Sequence, residues 1–357
     1  MDTLNYVGPT ELLTSGFVNT HAHLRDKEER VRALLQYAYD GGAEAILPIP
    51  NLTPGLRTVE MLSPYLGMIR RVMEPDKKLT IIGTMMLTEQ TTRDDLRRAS
   101  NAGIVDVKLL PKYRTTNSED GIRKYWGHIR ELVAYCTYFG IRVHVHPEHP
   151  WMLISSRDAE YMFLPIAEML LDTGAVIIWE HGTDARCIPF WEEMAKTERF
   201  FVTITAHHLA TNEDEVFGDV RGVCKPPIKT ERDRGGLVAF VGKNYPWVMA
   251  GLDDAPHPKE MKHTEEGRCA CGDFTTPFGL RLYAHTLDHL FVTEAGVKTF
   301  VNFTGENARN VYGLPLSTRK QRLVRRPFKI QHRYPVGDWN VMSFWAGQTI
   351  NWDIEEA

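Results

Sequence analysis

Residues 16–26 read Gly16-Phe17-Val18-Asn19-Thr20-His21-Ala22-His23-Leu24-Arg25-Asp26, an apolar run that leads into two histidines and an arginine. Alternate residues of an extended backbone face the same way, so His21 and His23 can aim both imidazoles at one point. That arrangement suits a metal ion, and the same alternation places Arg25 beside it as a fixed cation for an anionic substrate group. The stretch therefore predicts an opening strand whose end carries metal-binding chemistry.

Beyond this strand, helical and extended apolar patterns alternate along the chain. The predicted strands after the first are residues 43–48, 79–87, 105–110, 141–146, 175–181, 200–205 and 247–253. The predicted helices are residues 28–39, 59–72, 92–102, 121–139, 157–171, 184–196, 232–243 and 278–291. Eight strands alternating with eight helices are typical of an α/β fold of the (β/α)8 TIM barrel type. Two α/β domains in tandem are the alternative, but no linker-like composition separates the units.

We expect the barrel to lie between two shorter segments. Residues 1–15 predict an extended N-terminal lead-in, and residues 16–315 predict the catalytic barrel, with one further helix over 297–313. Residues 316–357 predict a C-terminal extension, basic at first and then rich in aromatic and turn residues. We expect this extension to pack on the barrel or on the lead-in. It carries no recognisable chemical motif.

The composition is that of a soluble globular protein. Among 357 residues, 43% are hydrophobic and 25% charged, and the formal net charge of -4 gives no reason to expect nucleic acid or an anionic membrane as a partner. No apolar stretch reaches membrane-span length, and the first residues lack a signal sequence, so we expect a cytoplasmic protein. Five cysteines are an odd count that favours reduced thiols, with Cys269 and Cys271 as free thiols of an exposed loop.

Polar residues collect at the predicted strand ends, where TIM barrels build their active sites. They are His21, His23, Asn51, Lys108, His146, His181 and Asp253. Neutral imidazoles and a carboxylate suit divalent zinc. A lysine ammonium has no lone pair for a metal, but a carbamate formed from Lys108 and carbon dioxide would be an anionic ligand. Two other roles for Lys108 are equally open: it could form a salt bridge with Asp253, or it could bind the substrate as a cation. His144 faces the same way as His146 and predicts a core or supporting residue.

Seven motifs in this order resemble the dihydroorotases of the amidohydrolase superfamily, in particular the shorter, monofunctional bacterial class. The motifs are His21-Ala22-His23-Leu24-Arg25-Asp26, Pro50-Asn51-Leu52-Thr53-Pro54, Lys108-Leu109-Leu110-Pro111, Thr115-Thr116-Asn117-Ser118, Val145-His146-Pro147-Glu148, Glu180-His181-Gly182-Thr183 and Gly251-Leu252-Asp253-Asp254-Ala255-Pro256-His257. The resemblance extends over residues 15–315. The residues before Thr115, Lys112-Tyr113-Arg114, are bulkier and more basic than the resemblance leads us to expect.

The resemblance implies a site with two Zn2+ ions. The first would take His21, His23 and Asp253, and the second His146 and His181, with carbamylated Lys108 and a hydroxide bridging the two. The resemblance also implies a homodimer.

The resemblance further implies a set of substrate contacts. Arg25, Asn51 and His257 would hold a carboxylate of the substrate. Thr115 and Thr116 would lie in a loop that closes over it. Backbone groups near Lys225 and Gly272 would contact the ring.

The implied reaction is the reversible interconversion of N-carbamoyl-L-aspartate and L-dihydroorotate in pyrimidine biosynthesis. The bridging hydroxide would be the nucleophile, and Asp253 the catalytic group that shuttles the proton to the leaving nitrogen. Two other functions stay open: a hydantoinase-like or dihydropyrimidinase-like enzyme on another cyclic amide, or a non-catalytic structural subunit related to dihydroorotase.

Overall fold

The computed structural model describes residues 8–124, 126–265 and 269–356. Of the predicted lead-in, residues 1–7 lie outside the described residues, as does the last residue of the predicted C-terminal extension. The strands are β1 (Glu11–Ser15), β2 (Phe17–Ala22), β3 (Ala43–Pro48), β4 (Thr80–Ile81), β5 (Met85–Leu87), β6 (Asp106–Leu109), β7 (Arg142–Val145), β8 (Ile177–Trp179), β9 (Phe200–Ile204), β10 (Val248–Ala250), β11 (Lys320–Val324), β12 (Phe328–Lys329), β13 (Arg333–Val336), β14 (Trp339–Met342), β15 (Thr349–Ile350) and β16 (Asp353–Glu356).

The α-helices alternate with the barrel strands and continue beyond them. They are α1 (Glu28–Asp40), α2 (Val59–Val72), α3 (Arg93–Asn101), α4 (Trp126–Phe139), α5 (Leu164–Leu171), α6 (Ile188–Met194), α7 (Ala206–Ala210), α8 (Glu213–Val216), α9 (Glu231–Gly242), α10 (Lys259–Lys262), α11 (Gly279–Thr286), α12 (Glu294–Val301) and α13 (Asn307–Tyr312). No helix among the described residues is both long and apolar enough to cross a membrane.

Strands β2 to β10 form the wall of the predicted (β/α)8 barrel, in parallel register throughout. The predicted strand over 79–87 is two short strands, because the chain changes its hydrogen-bond partner there. Ile82 N–H donates to the carbonyl of Ile46 (2.9 Å), whereas Met86 N–H donates to that of Leu56 (2.8 Å). At the other seam, Asp253 N–H donates to the His21 carbonyl (3.1 Å) and joins the first and last barrel strands.

Apolar side chains fill both the inside of the barrel and the layer between its wall and the helices. Val18, Leu47, Ile178 and Met249 are fully buried in one cluster that includes residues of opposite strands. Helix α1 packs through Val31, Leu34, Leu35 and Ala38, the helical spacing seen in the sequence. Apolar side chains therefore fill the barrel interior, and the reactive polar side chains lie at the strand ends.

One helix begins later than its sequence pattern predicts. Helix α4 begins at Trp126 rather than at Gly121. The earlier residues are used to fasten the loop after β6: Ile122 N–H donates to the Leu110 carbonyl (2.7 Å), and Lys112 N–H donates to the Ile122 carbonyl (2.9 Å). A helix starting at Gly121 would remove this pairing, so tertiary contacts override the local helical pattern.

Several other predicted helices are interrupted or shortened, among them those over 184–196 and 278–291, which contain 3-10 turns. The predicted helix over 157–171 begins with a 3-10 turn at Tyr161–Phe163, and Pro165 then lies in the first turn of α5, where its missing N–H costs nothing. The predicted helix over 297–313 is α12 and α13, with a π-helical turn at Asn302–Glu306 between them.

The C-terminal segment forms small antiparallel sheets. Strand β11 lies between β1 and β16, so part of the predicted lead-in and part of the predicted extension belong to one sheet. The hairpin β13–β14 contacts the barrel near α1, where the Trp339 ring lies 3.7 Å from the guanidinium carbon of Arg30. The division into lead-in, barrel and extension as separate domains stays a prediction.

Candidate active site

Three side chains meet where the first and last barrel strands end. His21 Nε2 lies 2.8 Å from Asp253 Oδ1, His23 Nε2 lies 3.4 Å from the same oxygen, and the two Nε2 atoms are 3.3 Å apart. A shift of the β2–β3 register between Asn19 and Ala22 changes which residues of β2 face inward. Val18 therefore fills the barrel, and both histidines still point at one place.

Three further predicted ligands lie beside this group. The His181 ring is 5.2 Å from the His21 ring and 4.6 Å from the His146 ring. Both ring nitrogens of the buried His181 lack a hydrogen-bond partner among the described residues. Lys108, fully buried, has its Nζ against Glu180 Oε2, and that oxygen lies 3.3 Å from His21 Nδ1. The structure thus brings all six predicted metal ligands into one cluster.

The cluster combines neutral imidazoles with a carboxylate anion. Burial lowers the pKa of His23 to about 4, despite its hydrogen bond to Asp253, and lowers the pKa values of His21, His146 and His181 as well. Burial alone would raise the pKa of Asp253, but His21 and the hydrogen bonds from both histidines outweigh it and bring that pKa well below its usual value. These are the protonation states in which both residue types bind metals.

A buried hydrogen-bonded chain supports the cluster from below. Glu180 Oε1 lies 3.0 Å from His144 Nδ1, and His144 Nε2 lies 2.9 Å from Asp106 Oδ1. Arg142 then donates two hydrogen bonds to Asp106, at 2.8 and 2.7 Å. His144 is therefore a supporting residue, one of the two roles that its position two residues before His146 predicted.

Two residues of the cluster hold an unusual backbone conformation. His181 has φ +41° and Asp253 has φ +51°, in the left-handed region that non-glycine residues seldom adopt. In a regular strand Glu180 and His181 would face opposite sides. The turn at His181 lets both side chains reach the cluster. Strained backbone of this kind concentrates at functional sites, where surrounding contacts hold it in place.

A small pocket opens beside the cluster. Its walls include His23, Arg25, Asn51, Thr115, Thr116, Lys225, Asp253, Ala255, Cys271 and Gly272. Most of the substrate-binding residues expected from the resemblance therefore face the same space as two of the expected metal ligands. His257 lies behind this wall.

Arg25 supplies the cation of the pocket. Its Nε and Nη2 donate to the Pro256 carbonyl at 2.9 and 2.6 Å, which fixes the guanidinium and leaves other N–H groups free to bind an anion. His257 Nε2 lies 3.2 Å from Arg25 Nη2 and 3.0 Å from the Cys271 carbonyl oxygen. Burial and the charge of Arg25 lower the pKa of His257 to about 2, so this imidazole is neutral.

Asn51 and the loop after β6 form the opposite wall. Asn51 Nδ2 donates to the Thr116 carbonyl (2.9 Å), and Asn117 Nδ2 donates to the Asn51 carbonyl (3.0 Å). Asn51 Oδ1 is buried without a hydrogen-bond partner among the described residues. Ser118 Oγ donates to the Thr115 carbonyl (2.6 Å), so the loop is internally bonded as well.

Gly272 and Lys225 contribute backbone to the pocket. Gly272 has φ +145°, and a Cβ there would come within 2.4 Å of Ala255, so only glycine fits. The Lys225 ammonium is turned aside to Ser156 Oγ, which leaves the backbone of this residue as its contribution. Cys271, expected on an exposed loop, is half-buried and lines the pocket.

Sequence reasoning missed three residues around the site. The sequence pattern assigned no function to Glu180. Its position at the end of a buried strand, directly before His181, could have indicated a carboxylate within the site. Glu148 lies 2.7 Å from His146 Nε2 through its Oε2, as the i+2 neighbour of a predicted ligand. Trp339 lies 5.9 Å from the Arg25 guanidinium carbon. No pattern in the sequence pointed to Trp339, because its place depends on how the C-terminal hairpin packs.

Comparisons with known proteins agree with this geometry. No protein-family model matches the chain. A dihydroorotase of Shewanella loihica is 30% identical over 347 residues, which cover 94% of this chain and 96% of that protein. The crystal structure of a Saccharomyces cerevisiae dihydroorotase in complex with 5-fluoroorotic acid has a TM-score of 0.89 at 24% identity, covering 98% of this chain and 99% of that one.

The hydantoinases are more distant in sequence and share the fold. An L-hydantoinase of Arthrobacter aurescens has a TM-score of 0.81 at 14% identity, covering 96% of this chain and 83% of that one. Fold similarity is thus common to both enzyme groups, whereas sequence similarity over nearly the whole length is found with dihydroorotases. The chain belongs to the dihydroorotase family of the amidohydrolase superfamily.

Proposed function

We propose that the protein is a metal-dependent dihydroorotase that interconverts N-carbamoyl-L-aspartate and L-dihydroorotate in pyrimidine biosynthesis. One observation supports this best: a fixed guanidinium, that of Arg25, shares a small pocket with His23 and Asp253 of the metal-binding cluster. A cyclic amide that carries a carboxylate needs both groups side by side.

The residues of the cluster fit a metal. Two overlapping groups, His21, His23 and Asp253 and then His21, Glu180 and His181, each bring their ligand atoms within 4.8 Å of one another. Neither ring nitrogen of His181 has a hydrogen-bond partner among the described residues, so the imidazole has a lone pair available for a metal ion within this cluster. We propose two zinc ions, one held by His21, His23 and Asp253 and the other by His146 and His181. Bound zinc would supply Lewis acidity, which polarises an amide carbonyl and makes water a better nucleophile.

Lys108 is the proposed bridging ligand. In carbamylation its Nζ lone pair forms a bond to the carbon of carbon dioxide, and the nitrogen releases a proton, which gives an anionic carboxylate at the end of the side chain. Lys108 is fully buried within the cluster, where burial lowers its pKa to about 7 and makes the neutral amine accessible. Lys108 Nζ lies against Glu180, and a salt bridge to Asp253 or a substrate-binding cation stays the alternative role for this lysine.

The remaining residues divide the chemistry among them. In hydrolysis the hydroxyl of water bonds to the amide carbonyl carbon, the carbon–nitrogen bond breaks and a proton goes to the nitrogen. Asp253, an anion at neutral pH, is the group that takes and returns this proton. Arg25 and Asn51 bind the substrate carboxylate, with His257 as the third residue of this set. Nε2 of the neutral His257 either accepts a hydrogen bond from Arg25 or donates one to the Cys271 carbonyl. Thr115 and Thr116 close one side, and the backbone at Lys225 and Gly272 faces the ring.

The two alternative functions are less well supported. A hydantoinase or dihydropyrimidinase acts on rings without the carboxylate that Arg25 would bind. A non-catalytic subunit would have lost ligands, yet all six candidate ligands occupy one cluster. A homodimer and a cytoplasmic location stay predictions of the sequence.

The test uses zinc-loaded protein and measures the loss of dihydroorotate ring absorbance, with hydantoin and dihydrouracil as competing substrates. We expect turnover of dihydroorotate, with kcat/KM about 10–100-fold above that for either uncharged ring, since a charge-assisted bidentate contact contributes roughly 1.5–3 kcal/mol. Equal turnover of dihydrouracil would support the hydantoinase alternative. An inactive protein that binds no zinc would support the structural one.

A further inference from the structure

Residues Lys112-Tyr113-Arg114 differ from what the family resemblance leads us to expect. The last of them, Arg114, makes a buried contact that has no part in the proposed reaction. Residues 112–118 are called the roof loop here, because Thr115 and Thr116 of this loop line the pocket. Arg114 lies in it, but its side chain points away from the pocket. It is 4% exposed, which is rare for an arginine on a surface loop.

The Arg114 guanidinium is enclosed by the backbone of a second loop, residues 149–154. Its Nε donates to the His149 carbonyl (2.7 Å), and its Nη2 donates to the carbonyls of Trp151 (2.6 Å) and Ile154 (3.1 Å). One guanidinium group thus donates hydrogen bonds to three carbonyl oxygens of the same short loop. Burial lowers the pKa of Arg114, while the nearby Glu148 carboxylate opposes this and favours the charged form.

Hydrogen bonds also fix the tip of the second loop from within, since Trp151 N–H donates to His149 Nδ1 (3.1 Å) and Ile154 N–H donates to the Trp151 carbonyl (3.0 Å). Trp151, Met152 and Leu153 are 60%, 55% and 81% exposed, so apolar burial does not anchor it. At its base, His149 N–H donates to the Ala159 carbonyl (2.8 Å). The loop follows β7, three residues beyond the predicted ligand His146. Its base therefore belongs to the rigid barrel, and Arg114 is the link between that base and the roof loop.

We propose that Arg114 is a positioning residue that holds the roof loop in place over the pocket before substrate arrives. The effect runs from the carbonyls of residues 149–154 through Arg114 to the adjacent Thr115 and Thr116. Asn51 secures the far side of the same loop through the Thr116 carbonyl. The roof loop is consequently held before the threonines by Arg114, and at and after them by Asn51, in addition to the pairing of Lys112 with Ile122 at its start. The substrate then meets a wall that is largely preformed, where the resemblance implied a loop that closes on binding.

Geometry, and not charge alone, is what this role requires. A lysine ammonium is a compact charge on a flexible stem and cannot present the planar fork that reaches three carbonyls at once. Arg114→Lys should therefore behave like Arg114→Ala rather than like the unmodified protein. This inference rests on the proposed function only where activity is measured.

The first test does not need the reaction. Hydrogen exchange is compared in the ligand-free protein, in Arg114→Ala and in Arg123→Ala, which removes an exposed arginine near the second loop. We expect amides of residues 112–118 to exchange at least about ten-fold faster in Arg114→Ala only, with the barrel strands unchanged. Unchanged protection of the roof loop, or faster exchange throughout the chain, would overturn the inference.

The second test is kinetic and uses the same variants together with Arg114→Lys. We expect KM for dihydroorotate to rise about ten-fold or more in both Arg114 variants, with kcat changed by less than about three-fold and zinc content unchanged. A wild-type KM in Arg114→Lys would show that charge suffices and would refute the geometric role. If the unmodified protein does not turn over dihydroorotate, the proposed function fails while the exchange experiment still decides the role of Arg114.

Discussion

The floor and the rim of the pocket are built in different ways. The floor, His21, His23, Lys108, His146, His181 and Asp253, stands on barrel strand ends, and its side chains contact one another or the buried Glu180. The rim, Arg25, Asn51, Thr115, Thr116 and Gly272, comes from loops and is held largely by bonds to backbone carbonyls. The proposed function therefore assigns the reaction to the floor and the choice of substrate to the rim.

Asp253→Asn should have the largest effect, because it removes the proton acceptor of the floor while keeping the shape of the side chain. We expect kcat to fall by about 1,000-fold or more. The rim should be unaffected, so the affinity for dihydroorotate measured by calorimetry should stay within a few-fold. A variant that retains zinc and turns over normally would remove Asp253 from its proposed role.

Arg25→Met should act on the rim alone. The apolar side chain keeps most of the volume but cannot bind a carboxylate, so we expect kcat/KM for dihydroorotate to fall by about 10–100-fold, mainly through KM. Zinc content, measured by atomic absorption, should match the unmodified protein. An equal loss in kcat with KM unchanged would mean that Arg25 belongs functionally to the floor.

Trp339→Ala should have a smaller effect of the same kind. The ring is 5.9 Å from the Arg25 guanidinium carbon, a cation–π contact worth about 0.5–1 kcal/mol, so KM should rise about two- to five-fold. Trp345→Ala, a change in the same C-terminal segment near His285, is the control. If both variants raise KM equally, the effect comes from a loosened segment and not from the contact with Arg25.

One buried carboxylate belongs to the floor and another lies next to the rim, and the two should affect the pH dependence of protein stability in opposite ways. His21 and His23 help bring the pKa of Asp253 well below its usual value, whereas burial raises the pKa of Asp273, next to Gly272 of the rim, to about 7. The unfolded chain ionises Asp273 at its ordinary pKa, so this residue makes the protein progressively less stable as pH rises from about 4 to about 7.

Asp273→Asn lacks that ionisation. We expect its Tm to exceed that of the unmodified protein by about 2–5 °C at pH 8 and to match it near pH 4, as measured by calorimetry. A lower Tm at pH 8 would mean that the Asp273 anion has a stabilising partner in solution.

The sequence predicted the floor better than the rim for a physical reason. Parallel strands of a barrel all end at the same edge, so His146 and Asp253 could be placed together without knowing any loop. Strand alternation does not predict the position of Glu180. It allows only one of Glu180 and His181 to face the cluster, whereas the left-handed backbone at His181 turns both side chains inward.

The rim depends on contacts between distant segments. Arg114 bonds to a loop 35–40 residues away, and Trp339 approaches Arg25 from the other end of the chain. Local patterns carry no information on such pairings. The same cause displaced the start of α4, since Ile122 was recruited to the loop after β6. Of the rim, Arg25 and Asn51 were predicted from the sequence pattern, because they follow barrel strands directly. The other rim residues were predicted only where the family resemblance named them.

The sheet that joins β1 to β11 has a consequence for synthesis on the ribosome. Ser15 of β1 pairs with Lys320 of β11, far along the chain, and Trp339, which approaches Arg25 of the rim, is made later still. At roughly 5–20 residues per second, the first strand waits about 15–60 s for its partner. During that interval the N–H and C=O groups of β1 lack the strand with which they pair. Because unpaired strand edges favour aggregation, we expect the nascent chain to depend on chaperones until β11 has been made.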